Sequence, residues 1–494
     1  MVAMTSADAA YAASAADFTA DSLGDGAQSA PQSQAAATGA PLPPSLLEAL
    51  HGAVVEGLGG DDAARATADR VIGYLRNTTE TTVSVEQDPA DPSAPPTTFV
   101  ITGDIPAMWL RDSAAQLTPL LRIVEAGIGS EEDRAVLQGL LAGLVRRHWQ
   151  QIAIDPYANA FNREPNGACW DEDDTDAPTP WAWERKFELD SLSYGPVLAQ
   201  RLHRATGDTS FLGEEFRTAA ARILDTVETE MDHEARSHYY FRRADCPEQD
   251  TLARDGRGGL VEPCGLVWSG FRPSDDACSL GYNIPGNHYL ARALDAIAEL
   301  AEADAGPGTQ ETAATARDLA ATIRAALAEH GTMTLADGTR VRAYEVDGRG
   351  GALFMDDANV PSLLSLPYLG CVEADDPLTR ATRQAVLSPA NPYFYAGSFE
   401  HDGMRLQGVG SPHTPADHVW PIALAIQGLT STDAAEKRAL LALMAASDGG
   451  TGMMHEGVHM DDPTQFTRAW FSWSNMMFCE LAMDIAGIGA TMRA

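Results

Sequence analysis

From Pro44 onward, apolar positions recur three and four residues apart in one stretch after another, the spacing that lays them along one face of a helix. The pattern predicts helices at about 44–57, 61–76, 110–127, 131–149, 187–205, 214–233, 287–303, 311–329, 357–368, 377–388, 416–428, 433–446 and 466–486. Alternation of period two is confined to hairpins, clearest over Thr332–Val346, where it reverses at Asp337-Gly338. About a dozen helices joined by long polar connections predict an all-α architecture. In pairs they close as a double ring of six inner and six outer helices, an (α/α)6 toroid with short β-hairpin insertions, whose loops at one end form a cleft. Residues 1–40 are Ala, Ser, Gly, Gln and Asp with almost no large apolar side chains, and predict a disordered low-complexity tail. Residues 41–494 are expected to form a single domain.

Charge narrows the choice of partner. The chain carries 34 basic and 70 acidic residues, a net charge of −36. A surface so negative repels phosphate backbones and anionic lipid, which argues against nucleic acid and membrane and favours a neutral substrate. No apolar run approaches the roughly 18–20 residues that span a bilayer. Six cysteines, at 169, 246, 264, 278, 371 and 479, show no metal-ligand spacing and read as buried free thiols. Asp8, Asp17 and Asp21 interrupt what would have to be a signal core, so a cytoplasmic protein is expected.

Five segments carry the candidate chemistry. The first, 102–119, places Trp109, Arg111 and Asp112 where a turn opens into an apolar helix. An indole offers a flat apolar face to a pyranose, and a fixed guanidinium and carboxylate supply donors and acceptors for hydroxyls. The same character recurs at 183–194 (WERKFELDSLSY), 267–278 (VWSGFRPSDDAC), 408–415 (GVGSPHTP) and 453–475, which runs from Met-Met-His-Glu to Trp-Ser-Asn. Carboxylates beside Trp and Arg at the mouths of helices, repeated along one chain, suggest a carbohydrate-processing cleft. Long connections at 150–186 and 241–285 fit functional loops. His413 lies between Pro412 and Pro415, where regular helix is excluded, which marks it as a site candidate.

These five segments, with Met355-Asp356-Asp357-Ala358-Asn359-Val360-Pro361-Ser362-Leu363-Leu364, resemble glycoside hydrolase family 125, the exo-α-1,6-mannosidases built on an (α/α)6 barrel; the resemblance covers roughly residues 45–487. It implies a cofactor-free, metal-independent, inverting hydrolysis that releases terminal α-1,6-linked mannose from a mannose-containing oligosaccharide. Carried over by position, the general acid falls in Ser274-Asp275-Asp276-Ala277 and the general base at Glu456. Ser274 reads as a helix N-cap, which would place Asp275 and Asp276 in a first turn about 100° apart, with either one facing the scissile oxygen. Arg111, Asp112 and His413 are candidates for gripping the terminal sugar, Trp109 or Trp268 for its platform, and Arg272 and Asn287 for further contacts. The chain departs from the family pattern after Gly281-Tyr282, over 397–408, and at Gly457-Val458-His459 after Glu456.

Two other classes compete. His455-Glu456-Gly457-Val458-His459 is a formal HExxH, and Glu480 lies 21 residues beyond it, which would suit a zinc peptidase if both histidines shared a helical face. Gly449, Gly450 and Gly452 before the motif, Gly457 inside it and Asp461-Asp462-Pro463 after it oppose that helix. A toroidal sugar epimerase or a glycan-binding protein would share the aromatic cleft but lack an opposed pair of carboxylates.

Overall fold

Caps and breakers set the limits of most helices. A computed structural model describes residues 37–489. Among them, twelve helices of nine residues or more follow in order: α1 Pro44–Leu58, α2 Asp62–Thr81, α3 Leu110–Glu125, α4 Glu131–Ile154, α5 Ser191–Thr206, α6 Glu214–Glu230, α7 Ile284–Ala303, α8 Thr309–His330, α9 Pro377–Val386, α10 Pro421–Leu429, α11 Ala434–Ala446 and α12 Ser472–Ile485. Asp61 caps α2, Ser130 and Asp133 form a reciprocal capping box on α4, and Asp376 and Asp433 cap α9 and α11. Left-handed Gly59 and Gly207 end α1 and α5.

Helices α3, α5, α7, α10 and α12 are buried over nearly their whole circumference and form the inner layer, in that order around the ring. Helices α2, α4, α8 and α11 bury one face against them from outside, α6 packs on α4 and α8, α9 packs on the strand Arg340–Arg342, and α1 packs on α2. The sixth inner position is where the predicted helix 357–368 departs from expectation. Residues 363–370 are buried through Leu369 but fold as successive turns. Pro361 and Pro367 cannot donate to a helical ladder, and the Asp356 carboxylate takes the amides of Leu363 and Leu364 at 2.7 and 2.9 Å. Tyr194 of α5 donates to the Val360 carbonyl, Arg292 of α7 to that of Leu369, and Tyr368 to Glu480 of α12, so this segment closes the ring. The architecture is an (α/α)6 toroid with one inner helix replaced by turns.

Strands are not confined to hairpins. Thr332–Thr334 pairs with Arg340–Arg342 as expected, but Glu345–Val346 leaves to join Tyr282–Asn283 and Ala352–Leu353 in a three-stranded sheet. A second such sheet ties Met108–Trp109 to Ala160–Phe161 and Ala182–Glu184, which clamps together the loops that precede α3 and α5. A longer hairpin, Phe394–His401 with Met404–Val409, reverses at Asp402-Gly403. The main hydrophobic cluster is continuous from Ala40 to Ile488. The predicted disordered tail falls mostly on residues outside those described; Gly39 and Ala40 donate backbone hydrogen bonds to Val83 and Thr79. All six cysteines are free, with Cys278 and Cys479 buried. No described helix is long and apolar enough to cross a membrane.

Candidate active site

The inner helices begin at the same end of the ring, and four of the five, α3, α5, α10 and α12, start without a side-chain cap. The acidic residues of the loops leading into them stand near those helix starts, where partial positive charge favours anions.

Arg111, in the first turn of α3, is the hub of one side. Its guanidinium reaches Glu188 at 2.5 Å, Asp275 at 3.1 Å, Asp190 at 3.3 Å and Asp112 at 3.5 Å. Asn159 donates to Glu188 from the other direction at 3.0 Å. Burial lifts the Asp112 carboxyl to about 6 despite Arg111 beside it, and lifts Asp190 likewise to about 6. Glu188 stands well above the usual carboxylate range, chiefly through burial, with the Asp275 carboxyl hydrogen-bonded to it. Asp275 is pushed the other way: burial opposes its ionisation, but the Glu188 hydrogen bond and the Arg111 and Lys186 charges prevail and hold it low. Of these two hydrogen-bonded carboxyls Glu188 is the one that keeps a proton, because burial and mutual repulsion prevent both from ionising.

Asp275 and Asp276 do not start a helix, and Ser274 is not an N-cap. Residues 272–276 are a tight turn in which the Arg272 amide donates to the Asp276 carbonyl at 2.7 Å and Asp275 sits at φ 69°. Ser274 Oγ instead donates to Asp357 at 2.5 Å. The left-handed residue is costly for a non-glycine, and it separates the neighbouring aspartates. Asp275 turns toward Arg111 with 22% of its side chain exposed, while Asp276, at 3%, turns to His413 Nδ1 at 3.1 Å. Burial alone would lower the His413 pKa; its hydrogen bond to Asp276 and the charges of Asp276, Glu456 and Asp275 lift it to about 10. With 36% of the side chain exposed, water screens that ion pair, and its effect on stability is small.

Glu456 comes from a distant stretch of the chain. It is nearly buried in an extended loop between α11 and α12, its amide held by the Thr467 carbonyl, and its nearest cation is Arg468 at 3.7 Å. Arg468 is itself fixed by Asp104 and by stacking 4.3 Å from the Phe471 ring centre. Two carboxylate groups from chain stretches about 180 residues apart thus face a shared charge field at His413 and Arg468.

Residues 67–483 match the family of metal-independent α-mannosidases, GH125. The chain belongs to this family. It is 37% identical over 449 residues to the meiotically up-regulated gene 157 protein of Schizosaccharomyces pombe, across 87% of this chain and 84% of that protein. It is 42% identical to a metal-independent α-mannosidase from Streptococcus pneumoniae solved in a non-productive complex with α-1,6-mannobiose, with TM-score 0.82 over 90% of this chain and 99% of that one.

Of the residues singled out in the sequence of this α-mannosidase, Arg111, Asp112, Asp275, Asp276, His413 and Glu456 come together. Four do not serve as expected. Trp268 is wholly buried, stacked 3.7 Å from the His233 ring, and cannot be a sugar platform. Trp109 packs in a small apolar cluster with Trp183 and, at 6% exposure, offers no open ring face. Arg272 is buried in an ion pair with Glu345 at 2.6 Å. Asn287 spends its amide on Val267 and Asn283, bracing the start of α7.

The HExxH reading also fails: His455 is buried against the Phe466 ring with both nitrogens in hydrogen-bonding range of protein oxygens, while Val458–His459 is a strand paired with His418–Val419. No helical face carries both histidines. Glu188, Asp190 and Arg468 were overlooked in the sequence, although the first two stand two residues apart just before a helix, the position a carboxylate of this cleft would take.

Proposed function

We propose that this α-mannosidase removes terminal α-1,6-linked mannose from the non-reducing end of oligosaccharides, with inversion at the anomeric carbon. The observation that carries the reading is a proton kept in the Glu188–Asp275 pair, with Glu456 brought to the same His413 from a stretch about 180 residues away. An inverting enzyme needs a protonated carboxyl beside the leaving oxygen and an ionised one that activates water from the other face, about 6.5–9.5 Å away. Asp275 is the more exposed aspartate, and the proton kept on Glu188 passes along the hydrogen bond between them as Asp275 gives up a proton to the leaving alkoxide. Glu456 is the base. Asp276 orients His413, which together with Arg111 and Asp112 is placed to hold the hydroxyls of the terminal sugar. The complex of the Streptococcus pneumoniae enzyme with α-1,6-mannobiose supports the linkage.

The continuous core supports residues 41–494 as one catalytic domain, and six free thiols support a reducing, cytoplasmic setting. The test is a panel of α-1,2-, α-1,3-, α-1,4- and α-1,6-mannobioses with and without EDTA. The α-1,6 isomer should be cleaved fastest and chelation should change nothing. Preference for another linkage would overturn the substrate assignment.

A further inference from the structure

A cavity of about 480 Å³ opens on the flank of the toroid, away from the carboxylates. It lies between the C-terminal end of α5, the middle of α7, the end of α8, the 332–342 hairpin and the end of the inner turn segment. Its lining is unlike the rest of this chain. Arg204, Arg292, Arg324, Arg340 and Arg342 all contribute, against a single carboxylate, Asp295. In a protein with a net charge of −36, five of the 34 basic residues gather around one pocket.

These guanidiniums are not all neutralised within the protein. Arg204 is paired with Glu299 and Arg324 with Asp295. Arg342 has Thr379 at 3.0 Å and only a long contact to Asp376 at 3.5 Å. Arg340 donates to the Thr332 hydroxyl, and Arg292 donates to the Leu369 carbonyl; neither has a carboxylate at ion-pair distance among the described residues. Burial, with Arg201 and Arg204 nearby, lowers the Arg292 pKa, and burial with the Arg342 and Arg324 charges holds His288 down at about 3. The imidazole is therefore neutral and lines the cavity beside Arg324 and Arg342.

We propose that this pocket is a binding site for a small phosphate-bearing anion, separate from the active site. Planar guanidiniums match the oxygens of a tetrahedral oxyanion in paired hydrogen bonds. The volume falls within the range of small-molecule sites. The acidic surface around it excludes a nucleic-acid backbone, which would meet repulsion everywhere outside the pocket. Free phosphate and a sugar phosphate ester present the same group, and the pocket can hold either.

Calorimetric titration of the full chain with inorganic phosphate, mannose 6-phosphate and mannose, at low ionic strength, tests the site. Both phosphates should give saturable heats that weaken as salt is added. In Arg292→Gln the affinity should fall about tenfold or more, with mannobiose turnover of the folded variant unchanged. If that variant does not fold, Arg340→Gln on the exposed hairpin should show a similar direction of loss. Tighter binding of mannose 6-phosphate than of phosphate identifies the ester as the ligand, and equal affinity identifies the inorganic ion. Absence of a saturable phosphate heat in the wild type, undiminished affinity in the folded variant, or loss of mannose binding together with phosphate binding would overturn the proposal.

Discussion

The two sides of the catalytic cleft are built in opposite ways. Around Asp275, four carboxyls crowd one guanidinium. Around Glu456 a single arginine stands 3.7 Å off, itself anchored elsewhere by Asp104. Crowding raises the cost of ionising every carboxyl at once and so retains a proton in the cluster. On the Glu456 side no second carboxyl lies at hydrogen-bonding distance among the described residues. The contrast is what an acid and a base on opposite faces of one bond require.

Breaking the sparse side should cost most. Glu456→Gln removes the only activator of water at that face, and turnover of α-1,6-mannobiose should fall at least about a thousandfold while the melting temperature holds. Near-normal turnover would remove Glu456 from its role. On the crowded side, Asp275→Asn should lower mannobiose cleavage by about a hundredfold or more yet spare much of the activity on a dinitrophenyl α-mannoside, whose leaving group needs no proton. Asp276→Asn should slow both substrates alike, and by less. The reverse pattern would exchange the two aspartates.

Glu188→Gln should lower turnover near neutral pH and show its clearest effect in the pH profile. Without its partner, Asp275 faces only the charges of Arg111, Lys186 and His413, all of which lower its pKa. The proton would then leave at lower pH, so the alkaline limb of the kcat profile should move to the acid side with KM little changed. A fixed limb would show that Glu188 does not share that proton.

Most of the fold was legible because amphipathic spacing and caps act locally. Pro44, Asp61, Ser130 and Gly207 fix helix ends through bonds within a few residues, and the predicted spans lie close to the observed ones. The segment 357–368 misled because its apolar content is that of an inner helix, whereas its backbone amides are claimed by Asp356 and its ladder is broken by Pro361 and Pro367. The hairpin at 394–409 carried a readable Asp402-Gly403 signal, but the sheet joining Met108–Trp109 to 160–161 and 182–184 depends on contacts far apart in sequence.

Arg111, Asp112 and His413 were singled out from their local sequence and Glu456 from the family resemblance, and the structure brings the four near one another. Trp268 and Arg272 flank Asp275 in the chain just as plausibly, but adjacency does not tell which way a side chain turns. The amide of Trp268 is bonded to Glu230 at the end of α6, which carries the ring inward onto His233. Likewise, the separation of Asp275 from Asp276 rests on a left-handed φ that no residue type there announces.

The opposition of the two sides makes a stereochemical claim. If water enters from the Glu456 face while Asp275 protonates the departing oxygen, the first sugar released is β-mannose. Proton NMR of the anomeric signals during the first minutes of α-1,6-mannobiose hydrolysis, before mutarotation, reads this directly. The account predicts that the β signal appears first and the α signal only as the anomers equilibrate. An initial α signal would mean a retained configuration and a carboxyl pair only about 5–5.5 Å apart, contradicting the division of the cleft into a proton-holding side and a water-activating side.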